Sequence, residues 1–171
     1  MAFLVQNEIG TVAGANAYVT VEFVNEYHKD RGNDAWGVAL GKQALIIRAS
    51  DHLDERFKYV GERLQVRQST EWPRQNAYDI DDDYVEGIPQ EVKEAVAEYA
   101  LLAATLGDLN PTPTRDATGQ TVIASSETVG PISSSVKYAG GGAFQLPKYP
   151  RADRKLVARG LVEKGGRLIR G

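Results

Sequence analysis

The stretch PQEVKEAVAEYALLAATLG, residues 89–107, decides the fold class. Val92, Val96, Tyr99, Ala103 and Leu106 recur at alternating spacings of four and three, the period of one helix face. Pro89 suits a first helical turn, where its missing N–H costs nothing, and Gly107 suits the end. Alanine and glutamate give the segment strong helical propensity, and its small residues let another helix approach closely.

Working outward, two more helices precede it. Thr20 is a plausible N-cap, with Glu22 in the first turn where the helix dipole favours an anion. A helix is expected over 21–31, ending at Gly32, with Phe23, Val24 and Tyr27 on one face. Asn33 or Asp34 can cap a short turn carrying Trp36. The next helix spans 42–57, because Leu45 or Ile46, Ala49, Leu53 and Phe57 share a face while Arg48, Asp51, Glu55 and Lys58 share the other. Ahead of these, residues 3–12 read as a short strand or hairpin with a turn at Gly10. No period persists over 59–87. Trp72-Pro73-Arg74 interrupts any helix, since the proline ring pushes Trp72 towards an extended conformation, and the acidic run 79–86 reads as a surface loop.

After Asn110 the character changes. A Ser/Thr/Val-rich run reads as two short strands, over 121–123 and 128–138, with a turn at Gly130-Pro131, and Gly140-Gly141-Gly142 follows as a hinge. An isolated two-stranded hairpin is marginal in water, so this arm calls for a partner surface. A last short helix is expected over 152–161, with Leu156, Val157 and Leu161 apolar. It either docks on another chain or folds back on its own body. The fold class is therefore mainly α: a small bundle of about three core helices, a β-hairpin arm and a short helix with a tail. The expected organisation is a helical body over 1–110, an arm and hinge over 111–143, and a basic docking tail over 144–171.

Charge divides along the same line. Residues 1–110 hold ten Lys and Arg against nineteen Asp and Glu, whereas residues 111–171 hold ten against four, so a net −3 conceals −9 and +6. The excess lies in Lys148, Arg151, Arg154, Lys155, Arg159, Lys164, Arg167 and Arg170, opposed by Asp153 and Glu163. Such asymmetry favours docking on nucleic acid or an acidic protein surface, or it forms a solvated terminus. No apolar run is long enough for a membrane span, and the first residues lack the flank of a signal peptide, so a cytosolic chain without a membrane partner is expected.

Chemistry-bearing patterns fail one by one. The 171 residues include no cysteine and two histidines, His28 and His52, which removes disulfides, thiolate sites and most acid–base options. Asp79, Asp81 and Asp83 alternate as in a calcium loop, but Tyr84 stands where glycine belongs and Gln90 where glutamate belongs. Gly140-Gly141-Gly142 lacks the sequence of a phosphate loop. His28, beside Lys29 at a helix end, is expected to favour its protonated form in a structural or surface role. Ser133-Ser134-Ser135 has no base or nucleophile elbow. No catalytic residue, metal ligand or cofactor-binding residue is expected, and the chain is not read as an enzyme. For stacking on single-stranded DNA, Tyr59, Trp72 with Arg74, Tyr138 and Tyr149 are candidates; Tyr149 with Lys148 and Arg151 is the compact cluster.

Taken in order, Ala15-Asn16-Ala17-Tyr18-Val19, Tyr27-His28 with Arg31-Gly32, Ala35-Trp36, Ile47-Arg48-Ala49 with Asp51 and Leu53, Trp72-Pro73-Arg74, Ile88-Pro89 leading to Glu98-Tyr99-Ala100, Tyr149-Pro150 with Asp153 and Leu156, and Arg170-Gly171 resemble a phage family. That family carries the label putative DnaT-like single-stranded DNA-binding protein, and its members resemble helical head-tail connectors, or adaptors, of tailed phages. The resemblance covers nearly the whole chain.

It implies a structural virion protein of the neck, assembled in the host cytoplasm. Such a protein forms a homo-oligomeric ring, commonly of twelve copies, under the portal protein, extends the channel for genomic DNA without sequence recognition, and meets a tail-side neck or tail-terminator protein. It assigns Val92, Val96, Tyr99 and Ala103 to subunit packing and Trp36, Trp72, Pro73 and Arg74 to a structural motif. It assigns Tyr149, Arg151, Arg154, Lys155, Leu156, Arg159, Leu161, Arg167 and Arg170 to portal docking. On this reading, removing residues 144–171 leaves the body folded and abolishes assembly. The alternative is a single-stranded DNA-binding protein that uses the basic tail.

Overall fold

The computed structural model describes residues 2–111, 122–128, 133–138 and 148–163. The chain forms two compact units, residues 1–109 with 148–171 and residues 110–147. The first contains α1 (Val21–Asp30), α2 (Asp34–Gly37), α3 (Lys42–Arg56), the two-residue strands β1 (Glu62–Arg63) and β2 (Arg74–Gln75), α4 (Gln90–Leu106) and α5 (Pro150–Arg159). The second contains β3 (Val122–Thr128) and β4 (Ser133–Tyr138). The architecture is a small helical bundle with a β-hairpin, as the periodicity predicts.

Helix α4 is the axis of the bundle and packs on α1, α2, α3 and α5. Residues 95–100 are all buried, along with Val92 and Ala103. A helix covered around its whole circumference is a core element, which its alanines allow by admitting close neighbours on several sides. Val92, Val96, Tyr99 and Ala103 are thus enclosed by this chain's own helices. The seam assigned to neighbouring subunits is not a free surface. Leu106, the last seam position, is 60% exposed because the helix ends there.

Local rules account for three helix ends. The Thr20 hydroxyl accepts the Phe23 N–H at 3.2 Å and caps α1. Gly107, with φ +83, donates its N–H to the Ala103 carbonyl and ends α4. Gly160, in the left-handed region, ends α5. Val24 and Tyr27 of α1 and Ile46, Ala49 and Leu53 of α3 turn inward, while Leu45 and Phe57 are only partly covered. Residues 3–12 make no hairpin: Val5 pairs in parallel with Ala17, and Asn16 and Ala17 donate to the Leu4 carbonyl.

The aperiodic segment between α3 and α4 is held by polar side chains. Buried Arg74 donates to the Val60 carbonyl at 2.8 Å, the Gly61 carbonyl at 2.7 Å and the Glu71 carboxylate at 2.7 Å. Trp72 is fully buried, edge-on to Tyr59, and its peptide bond to Pro73 is cis. The Tyr18 hydroxyl accepts the Trp72 N–H at 3.1 Å and donates to Asp54 at 2.5 Å. At Gly61, φ is +72 and the Gln75 carbonyl and Ala77 backbone crowd the position where a side chain would start, so only glycine fits without displacement.

Helix α5 belongs to the first unit and packs on α4. Ala152, Leu156 and Leu161 are completely buried and Tyr149 nearly so. Of the two fates left open for this helix, folding back on its own body is the one adopted, and the boundary at residue 144 falls outside the described residues. In the second unit, β3 and β4 are antiparallel, with Val122 opposite Tyr138 and Ala124 opposite Lys137. Ile123 is therefore the extra residue of a β-bulge. Thr128 belongs to β3 and not to the return strand. The expected turn at Gly130-Pro131 and the hinge at 140–142 lie outside the described residues.

Candidate interaction surface

The basic residues of α5 face carboxylates of the body. Arg56 of α3 reaches Asp153 with two guanidinium nitrogens, at 3.1 and 2.8 Å. The same carboxylate accepts the Tyr99 hydroxyl and, at 3.2 Å, the Tyr149 N–H at the start of α5. Lys155 pairs with Glu94. Arg159 lies 2.7 Å from Asp79, 3.2 Å from Asp81 and 3.6 Å from Glu91, and Arg151 lies 3.6 Å from Glu98. A fork-to-fork Arg56–Asp153 pair, mostly covered and supported by two further donors, is the geometry in which an ion pair best compensates desolvation. The more exposed pairs contribute less. Together they explain the opposed charges of the sequence: the basic segment and the acidic body meet within one chain.

The docking residues are accordingly divided. Tyr149, Leu156 and Leu161 are core side chains, and the Tyr149 hydroxyl donates to the Leu109 carbonyl at 2.8 Å. Docking these three on a portal would require tearing the core open. Arg151, Lys155 and Arg159 are engaged in the ion pairs above. Arg154 is exposed and so is Lys148. Arg167 and Arg170 lie outside the described residues. The stacking candidates fare similarly: Tyr59 and Trp72 are buried, Tyr149 is in the core, and of Tyr138 only its place in β4 is described. Trp36, Trp72 and Arg74 are buried among core and loop groups, with the Trp36 indole donating to Asn25 at 2.9 Å.

His28 departs from expectation. It is buried, its Nε2 lies 2.9 Å from the Ala97 carbonyl and its Nδ1 lies 3.0 Å from the Asn33 amide. That arrangement suits a neutral ring donating at Nε2 and accepting at Nδ1. Burial pushes its pKa below the usual value, against the protonation expected from the helix end. His52, unassigned in the sequence, packs edge-on between the Tyr99 and Tyr149 rings.

Two groupings were not legible beforehand. Asp54 is held by Tyr18 and by the Glu71 N–H at 3.1 Å, and burial, aided by the nearby Glu71 and Asp51 charges, raises its pKa to about 7. The acidic run forms a fixed turn in which Tyr78 pairs with Tyr84 while both stay about half exposed, as does Ile80. Its signal was the interleaving of Tyr78, Ile80 and Tyr84 with four aspartates. The buried Asp79 accepts the N–H groups of Asp81 and Asp83 at 2.8 and 3.1 Å, so this carboxylate holds the turn and Arg159. Among the described residues no three metal-binding side chains converge, and no helix is long and apolar enough to cross a membrane.

No curated protein and no solved structure matches the chain. A family model described as "Putative DnaT-like ssDNA binding protein" matches residues 1–170. With the whole described body falling inside that match, the chain belongs to the family of putative DnaT-like ssDNA binding proteins.

Proposed function

We propose that the chain is a structural assembly protein, a head-tail connector subunit that forms a ring under a portal and joins capsid to tail. One observation carries the reading: among the described residues, three of the five α5-region cations and three of the candidate stacking rings are used inside the fold, while Lys148 and Arg154 stay exposed. Lys155, Arg159 and Arg151 face the body's own carboxylates, and Trp72, Tyr59 and Tyr149 have no face open to a base. An acidic exterior repels phosphate and suits a wall along which DNA slides. With α5 packed on its own body, the β3–β4 hairpin is a candidate segment for engaging portal, tail-side protein or neighbouring copy. A two-stranded ribbon of this kind gains most from pairing with another surface.

The family description favours a second reading, binding of single-stranded DNA. Electron microscopy of the purified protein, alone and mixed with portal, tests the first: rings or portal-bound particles are expected, and a chain that stays monomeric with portal present removes it. Fluorescence anisotropy with a labelled oligonucleotide tests the second. The connector reading expects little binding at about 0.15 M salt, whereas a DNA-binding protein shows affinity that falls steeply as salt rises.

A further inference from the structure

The turn at residues 78–84 presents apolar side chains that its own architecture prevents from collapsing inward. Tyr78 and Tyr84 pair across the turn with rings edge-on at 5.6 Å, and the Asp79 N–H bonds the Asp83 carbonyl at 3.0 Å. Ile80 is pinned by its N–H to the Arg159 carbonyl at 3.0 Å. Around these three half-exposed residues, Asp82, Asp83 and Glu86 are exposed and make no ion pair among the described residues. The surface is thus apolar at its centre and anionic at its rim. Phosphate is repelled there; a peptide that alternates arginine with aliphatic side chains is attracted.

Such a peptide lies in the same chain. Beyond Glu163 the sequence reads Lys164-Gly165-Gly166-Arg167-Leu168-Ile169-Arg170-Gly171, an apolar pair between two arginines after a glycine joint. Gly160 lies against Ile80, and Glu163, three residues on, is anchored by its N–H to the Lys58 carbonyl at 2.9 Å. Three residues separate the anchor from the turn by at most about 10 Å, and eight extended residues span up to about 26 Å. Eight residues of chain are therefore long enough to reach the turn, and so short a covalent link gives an effective concentration on the order of millimolar, so a weak contact suffices.

We propose that residues 164–171 dock on the turn of their own chain, with Leu168 and Ile169 against Tyr78, Ile80 and Tyr84 and with Arg167 and Arg170 against Asp82, Asp83 and Glu86. The docked tail covers the body's exposed aromatic pair. It does so whether the chain's larger partner is protein or DNA.

The chain has no cysteine, so Gly171→Cys carries a single nitroxide label on the full-length protein. Amide spectra of the isotope-labelled, spin-labelled chain are expected to lose signal over residues 78–86, and the double variant Arg167→Glu/Arg170→Glu to recover it. A mixture of isotope-labelled chains without nitroxide and unlabelled chains with it is expected to lose none. Full signal over 78–86 in the first sample overturns the proposal, as does loss that survives charge reversal. Loss confined to the mixed sample also overturns it, by placing the contact between copies. Unchanged amide shifts of α3 and α4 establish that each variant remains folded.

Discussion

Asp54 shows how one side chain couples the fold to pH. Its pKa is about 7 in the folded chain against 3.8 when free, because burial disfavours the carboxylate. A raised folded pKa means stability that is full below about pH 4 and lost as pH climbs through about 7. The difference corresponds to at most about 4 kcal/mol, less in practice because Asp54 is not fully enclosed. Urea unfolding is expected to show a falling contribution between about pH 4 and pH 7, and Asp54→Asn to flatten that slope; an unchanged slope in the variant removes Asp54 as its source. Arg74 acts through geometry instead. Its fork holds two carbonyls and a carboxylate that a lysine cannot reach together, so Arg74→Lys is expected to cost about 2–4 kcal/mol by the same measurement.

At the scale of elements, α5 is a core helix and not an appendage. Leu156→Ala is expected to cost about 2–5 kcal/mol because it empties a fully enclosed position, whereas Val157→Ser, one residue on and half exposed, stays within about 0.5 kcal/mol. Thermal unfolding of both variants checks the contrast, and equal effects would contradict the assignment. Removing residues 144–171 is expected to unfold the body or cut its stability by several kcal/mol, because the deletion uncovers α4 and strands Arg56 without Asp153. This reverses the expectation from sequence that such a truncation leaves the body intact. A short amphipathic helix after a glycine run carries no mark of where it docks. Its apolar positions and basic charge were visible; that the receiving surface is α4 of the same chain was not.

For the whole molecule, the Tyr149–Leu109 bond sets the two ends of the 110–147 segment beside each other within the first unit. Replacing residues 112–146 by a short Gly/Ser linker is therefore expected to leave a cooperatively folding body with near-unchanged melting temperature and, if the connector proposal holds, to abolish assembly with portal. Loss of cooperative melting would show that the segment is part of the core. The four longer helices, the Thr20 cap, the end of α4 at Gly107 and the hairpin were legible in the sequence, because these depend on contacts three or four residues apart, on cross-strand alternation and on glycine stereochemistry. The sequence also determined that one end of the chain is basic and the rest acidic. Packing between distant elements is what encloses Val92, Val96, Tyr99 and Ala103, seats Tyr149, Leu156 and Leu161 in the core, and buries His28 so that its pKa falls. Those outcomes rest on which distant surfaces meet, and charge or apolarity alone cannot distinguish a partner in another chain from one in the same chain.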